Sequence, residues 1–337
     1  NYIYRMTHRA YERASSMIAV NGVNPFDLPT WVERQRVAVS GGSTTINIDT
    51  TASSYQAGGK AVLWSSDERC EVVDIDSVTS GSITLDQPTS QDHNGFVMPA
   101  AEAYCLSGLS VTRSPQPIQE TQTEWMCYIG QDLSDASLYG LWRGLPVVDS
   151  CPRIGADTWT DTVTIPSMMV DNGLARPVFR KARKDPQRDI SMQWMINDPH
   201  ELWGVRQWLY SRRGMQKAFW LPTWTKGFDL TAPVSPTDAT MTIRRLHVTS
   251  TAGALMVKLR DGAQHYIKYT GATPAGQNEV LTLDGVAGFA ASLDDVSLIC
   301  PLHCARLAQD RIELSHQHTG HGQISTIRVM ANEVPEP

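Results

Sequence analysis

The chain has 337 residues, 41% hydrophobic and 19% charged, with a formal net charge of −6. That length predicts about two to three domains able to bury cores without staples. The acidic balance without a Lys/Arg stripe argues against tight nucleic-acid binding, and the lack of any long apolar run argues against a membrane span.

The first residues, Asn1-Tyr-Ile-Tyr-Arg-Met6, lack the basic, apolar and small-residue order of a signal peptide, so folding in the cytoplasm of the producing cell is expected. The six cysteines (Cys70, Cys105, Cys127, Cys151, Cys300, Cys304) follow no regular framework and read as reduced thiols. Thr7 to Ala14 is a polar stretch with some helical potential, followed by the turn dipeptides Asn21-Gly22 and Asn24-Pro25. From Val37 the pattern becomes β: Ile46 and Ile48, then Val62 and Trp64, Val73 and Ile75, and Ile83 and Leu85 alternate between turns. Such spacing predicts a small antiparallel barrel or sandwich.

A tetrapeptide that occurs twice, Leu28-Pro-Thr-Trp31 and Leu221-Pro-Thr-Trp224, organises the rest. Lys60–Asp67 lies over Ala254–Asp261, Glu71–Ile75 over His265–Tyr269, and Ile83–Asp86 over Leu281–Asp284. Leu109-Ser-Val111 and Ile312-Glu-Leu314 close the two runs. These matches in one order predict a duplicated β module of roughly 85–95 residues.

Between the copies, residues 115–185 hold a dense apolar group (Trp125, Tyr128, Leu138, Tyr139, Leu141, Trp142) among Gly and Pro, predicting irregular loops and a few strands that contact a partner. Arg180–Lys184 is a basic run, read as a solvated turn. Ile190, Met192, Trp194 and Ile196 then predict a buried strand. Asp198-Pro-His-Glu201 starts a helix over about 199–213, with Asp198 as N-cap, Pro199 at the first helical position, Arg212 and Arg213 at the C-terminal end and Gly214 as the left-handed stop. The tail, with Ile324, Ile327 and Val329, returns to a strand pattern.

Cys300, His303, Cys304, His316, His318 and His321 are the candidate metal ligands. Their spacing fits no zinc-finger arrangement, and the first module lacks the set, so the expectation is no metal and no cofactor. No G-x-S-x-G, H-E-x-x-H, Walker A or dinucleotide fingerprint occurs, and Asp132 with Asp135 is the kind of carboxylate pair any protein of this size contains. The expectation is that the chain is not an enzyme. Trp31 and Trp224, which recur at the module entries, are read as packing residues.

Ile190-Ser-Met-Gln-Trp-Met-Ile196, the helix ending Tyr210-Ser-Arg-Arg-Gly214, and Phe219-Trp-Leu-Pro222 together resemble the strand, helix and Phe-containing strand of tail-tip proteins of long-tailed bacteriophages. Arg306 to Leu314 also resembles the C-terminal β segment of distal tail, minor tail and baseplate proteins. The resemblance implies a structural protein of the virion, assembled in the host cytoplasm. It implies a ring-like homo-oligomer, often a hexamer, joining the tail tube to hub, receptor-binding or tail-fibre proteins, with Trp31, Trp224, Phe219, Trp220, Gly214 and Arg213 as interface or structural residues. Two other readings stand beside it: a tail accessory protein that binds host-surface carbohydrate or a receptor, and a tail-associated cell-wall hydrolase.

The fold expected is mainly β: a β-rich core (1–31 with 115–224 and 316–337) carrying one capped helix, and two homologous antiparallel barrel or sandwich modules at 32–114 and 225–315.

Overall fold

A computed structural model describes the chain except residues 1, 67, 113–117, 129–131, 154–158, 166, 172, 174–175, 177, 182–186, 246–251, 320–321 and 337. The described chain is mainly β, built of antiparallel sheets, with two α-helices where the sequence pattern singled out one. Two compact units form, one of residues 1–133 with 198–203 and one of 134–197 with 204–337. Residues 1–31 thus fall with the first module, and 316–337 with the second.

In the first unit, β1 (Tyr2–Thr7) leads into α1 (His8–Asn21). Thr7 caps the helix by accepting the Ala10 amide at 3.3 Å, and Gly22, at φ 60, stops it. β2 (Phe26–Pro29) and a 3-10 turn (Trp31–Glu33) follow. Then come β3 (Gln35–Val39), β4 (Thr45–Asn47), β5 (Lys60–Ser66), β6 (Arg69–Thr79), β7 (Ser82–Leu85) and β8 (His93–Cys105). β9 (Ser110–Thr112), β10 (Ile118–Thr123) and β11 (Trp125–Tyr128) complete the unit.

The strands that follow are β12 (Leu141–Trp142), β13 (Leu145–Pro146), β14 (Trp159–Thr164), β15 (Ser167–Val170) and β16 (Val178–Lys181). β12 and β13 are joined by Arg143-Gly144, at φ 51 and 78, the left-handed pair that a two-residue hairpin needs. β17 (Gln187–Ile196), α2 (Pro199–Arg212) and β18 (Phe219–Pro222) come next. The last seven strands are β19 (Thr240–Arg244), β20 (Gly253–Leu259), β21 (Gln264–Ala275), β22 (Asn278–Leu283), β23 (Val296–Leu307), β24 (Glu313–Thr319) and β25 (Gly322–Glu333).

One pairing scheme serves both modules. β8 pairs β5, β5 pairs β6, β6 pairs β7 and β7 pairs β4; β23, β20, β21, β22 and β19 pair in the same order. Even the bulge recurs, between Ile75 and Ser77 and between Tyr269 and Gly271. Alternation places Ile46, Ala61, Leu63, Ile75, Ile83 and Val97 in the first core, and Met241, Leu255, Val257, Tyr269, Leu281 and Ile299 in the second. Each such side chain contributes about 1.5–3 kcal/mol when a Val- or Leu-sized group is fully buried. Each sheet curls around its core without closing, so the described modules are open sheets rather than barrels.

The same order extends beyond the modules. β1, α1 and β2 precede the first, while β17, α2 and β18 precede the second. Phe26 pairs Ala103 as Phe219 pairs Ala305, and the Thr30 amide donates to Pro99 O at 2.8 Å as Thr223 donates to Pro301 O at 3.0 Å. After the modules, β10 lies between β1 and β9 as β25 lies between β17 and β24. Along the chain the order strand, helix, strand, module, two strands therefore occurs twice.

Candidate functional site

Ahead of β17 the second unit carries three further strands, β14, β15 and β16. β14 pairs β17 from Trp159↔Met192 to Thr164↔Gln187, and Arg188 holds Asp161 across the pair at 2.8 Å. Beyond it, β15 and β16 form a hairpin with Met168 opposite Arg180 and Met169 opposite Phe179. Among the described residues, β14 is the outermost strand of its sheet and β15 and β16 pair with each other alone.

Side chains alternate along a ribbon, so a two-stranded hairpin resting on a core would hide one face. Among its described side chains, neither face is hidden. Met168 and Met169 point to opposite faces, and both are more than half exposed. Val163, Ile165 and Val178 are 53%, 56% and 60% exposed. An isolated two-stranded ribbon is marginal in water, and clustered apolar residues on it mark an interaction surface.

Charge sharpens the picture. Residues 163–184 contain Arg176, Arg180, Lys181, Arg183 and Lys184 against Asp171, in a chain of 29 Lys/Arg and 35 Asp/Glu. The arm is net positive on an otherwise acidic chain. Arg176 and Arg180 are exposed; Ala182 to Lys184, the end of the basic run noted in the sequence, lie outside the described residues. A surface that combines thioether and aliphatic groups with guanidinium groups suits an acidic, partly apolar protein face.

Of the six residues expected to form interfaces, Phe219, Trp220 and Trp224 are buried within the second unit. Phe219 and Trp220 lie in β18, where the Trp220 ring meets that of Trp142 at 4.8 Å, tilted by 59°, and donates its indole N–H to Trp142 O at 3.0 Å. Trp224 is buried at φ 54 with Met256 and Cys300, under the Lys258 ammonium at 5.3 Å. Its counterpart Trp31 packs edge-on against Trp64 at 5.3 Å. Arg213 is exposed and itself left-handed (φ 52), so the helix stop uses Arg213 as well as Gly214 (φ 63).

β23 separates the Cys/His candidates. Cys300 and Cys304 project to one face, into two apolar clusters, one with Trp224 and Met256 and one with Trp220 and Leu302. Burial pushes the Cys304 thiol up to about 11 and raises that of Cys300, which opposes the thiolate a metal needs. His303 points to the other face, its Nδ1 2.8 Å from Glu333 Oε1, while His316 meets Ser325 Oγ at 2.8 Å. The His318 side chain and His321 lie outside the described residues, and among those described no three His, Cys, Asp or Glu side chains form a metal-binding group.

One polar cluster escaped the sequence reading. His93 Nε2 lies 3.0 Å from Glu71 Oε2, and Nδ1 lies 3.3 Å from Ser65 Oγ. Glu71 also accepts the Ser90 amide at 2.8 Å, and Ser65 Oγ the Asn94 amide at 3.1 Å. The order of groups is that of nucleophile, base and orienting acid. His93 is buried, however, and the two amides come from the turn before β8 and from the start of β8, so the cluster ties that turn to the sheet. No short motif announces it, because the three side chains come from three strands. Asp135 accepts the Ser137 amide at 2.8 Å, in a local turn.

Among the described residues, no helix is long and apolar enough to cross a membrane. Comparison with known proteins finds no matching family model and no matching curated protein.

Proposed function

We propose that this chain is a structural protein that assembles with copies of itself, as a distal tail or baseplate component at the tip of a bacteriophage tail. The observation that carries the reading is the hairpin arm, apolar on both faces and basic on an otherwise acidic chain. A second copy, whose chain outside the arm is net acidic, is the proposed acceptor. Arm and acceptor are different surfaces, so the contact is heterologous and propagates from copy to copy into a ring when its rotation closes. The phage assignment rests on the resemblance of Ile190–Pro222 and Arg306–Leu314 to tail-tip proteins. In that setting the ring sits at the end of the tail tube and meets hub, receptor-binding or tail-fibre proteins.

Sedimentation velocity across a salt series tests the self-association. Attraction between a basic arm and an acidic body is screened within about 10 Å at 0.1 M salt. The assembled fraction is expected to fall as salt rises from about 0.05 to 0.5 M. A monomer at every salt concentration and at high protein concentration would rule the reading out.

A further inference from the structure

The two modules share one pairing scheme, but the loop that leads into the last strand of each differs. In the first module, between β7 and β8, it is the polar turn Asp86-Gln-Pro-Thr-Ser-Gln-Asp92. That turn is tied back to the module. Thr89 is buried, the Ser90 amide donates to Glu71 Oε1 at 2.8 Å, and Asp92 Oδ1 accepts the Gly41 amide at 2.7 Å. In the second module the same connection, between β22 and β23, is longer and reads Asp284-Gly-Val-Ala-Gly-Phe-Ala-Ala-Ser-Leu-Asp-Asp295.

The apolar residues of this longer loop divide into two sets. Ala287, Phe289 and Ala291 are buried in the module core, where Phe289 also stacks on His265 at 4.5 Å. Backbone bonds pin the same stretch: the Ala287 amide donates to Asp238 O at 2.8 Å, the Gly288 amide to Pro236 O at 2.9 Å, and Ala291 and Val234 exchange both bonds. Val286 and Leu293 instead face outward, 60% and 50% exposed. The chain between them is anchored at three buried side chains, so slack in the loop does not account for their exposure.

The ground around them is acidic. Residues 232–239 and 284–295 contain Asp238, Asp284, Asp294 and Asp295 and no Lys or Arg. Arg143 pairs with Asp284 at 3.0 Å, whereas Asp294 and Asp295 are exposed beside Leu293. Hydrogen bonds from Ser292 and the charge of Arg260 hold the Asp295 carboxyl below its ordinary value, so it stays ionised. On the arm, complementary groups lie on one face. Met168 stands opposite Arg180, and Val178 lies two residues back on the same strand, so the three share one side of the ribbon, all exposed.

We propose that the arm of one copy docks on the 284–295 loop of the next, with Met168 and Val178 against Val286 and Leu293, and Arg180 toward Asp294 and Asp295. The inference rests on the self-association proposed above and names the surface that accepts the arm. Aliphatic contact bordered by charge pairs is the ordinary anatomy of a protein interface, and the charges set its register. The turn at 86–92 carries no valine or leucine, so each copy offers one arm and one acceptor. A heterologous ring requires that stoichiometry.

Sedimentation velocity at low salt compares wild type, the loop variant Leu293→Lys/Asp294→Lys, the arm variant Met168→Glu/Val178→Glu, and the two variants mixed in equal amounts. Each variant by itself is expected to associate at least about tenfold more weakly than wild type. The mixture should form a dimer and go no further, because the arm variant keeps its loop and the loop variant keeps its arm. All four substituted side chains are exposed, so circular dichroism and melting temperature should match wild type. Val286→Lys, placed elsewhere on the loop, is a second loop variant and should weaken association as well. Loop variants that assemble like wild type, or a mixture that gives no dimer, would overturn the assignment of the acceptor while leaving self-association in place. A wild-type monomer would overturn the self-association itself, and this assignment with it.

Discussion

The Asp310 carboxylate accepts the Met215 amide at 3.0 Å, and it does so in the space a side chain at position 214 would need. A Cβ on Gly214 would lie 1.9 Å from Asp310 Oδ1, and the backbone there is left-handed. The glycine after α2 therefore serves both the helix stop and a contact with the turn that follows β23.

Gly214→Ala should destabilise the second unit by roughly 2 kcal/mol, combining left-handed strain with loss of the Asp310 contact. Asp310→Ala alone should cost about 1 kcal/mol. In the double variant the costs should fall short of their sum, because the clash disappears with the carboxylate. Urea denaturation of the four proteins measures this, and full additivity would argue against the coupling.

The first module has a similar constraint at Gly95. A Cβ there would lie 2.1 Å from Trp64 O, a backbone atom beside the β5 bulge that cannot swing aside. Gly95→Ala should cost about 2–4 kcal/mol. Gly81, in the β6–β7 turn, has open space and no left-handed φ, so Gly81→Ala should change stability by less than about 0.5 kcal/mol. Equal effects on melting temperature would contradict this account of the bulge.

At the end of the chain Glu336 meets both Lys268 and Arg143. Burial alone would raise its pKa, but these two cations win and hold it below the ordinary carboxylate value of 4.5. A depressed pKa contributes stability that is present above the ordinary value and lost as pH falls through the folded value. Wild type should thus lose more melting temperature than Glu336→Gln between about pH 6 and pH 3. Parallel curves for the two proteins would show that the ion pairs contribute nothing to folding.

Cys300 and Cys304 should resist a thiol reagent until the chain unfolds, whereas exposed Cys70 reacts at once. Cys300→Ser and Cys304→Ser should leave the fast phase unchanged, and neither zinc nor a chelator should shift the melting temperature. A zinc-dependent rise in melting temperature abolished by Cys304→Ser would restore the metal reading.

The modules were legible because their strands carry both a period-two pattern and shared residues, as at Ile83-Thr-Leu-Asp86 and Leu281-Thr-Leu-Asp284. α2 was legible through Asp198, Pro199 and Gly214. Its partner in the repeat was not. α1 lacks the proline start, leaves Met17 and Val20 exposed and shares almost no residue with α2, so its correspondence appears through strand pairing rather than sequence. The arm stayed hidden for a related reason: Met168 and Met169 read like any short apolar pair, and only the structure shows both exposed. The arrangement of the Cys/His set could not be read from spacing alone, because adjacent positions on one strand, His303 and Cys304, point to opposite faces.

The central claim is that the arm joins copies of this chain, and the solution mass of the purified protein tests it most directly. Light scattering on wild type and on Met168→Glu/Val178→Glu, at low salt, compares the same fold with and without an apolar arm. A closed oligomer of defined mass for wild type, reduced to monomer in the variant, is the predicted result. A wild-type monomer, or an oligomer of unchanged mass in the variant, would contradict it.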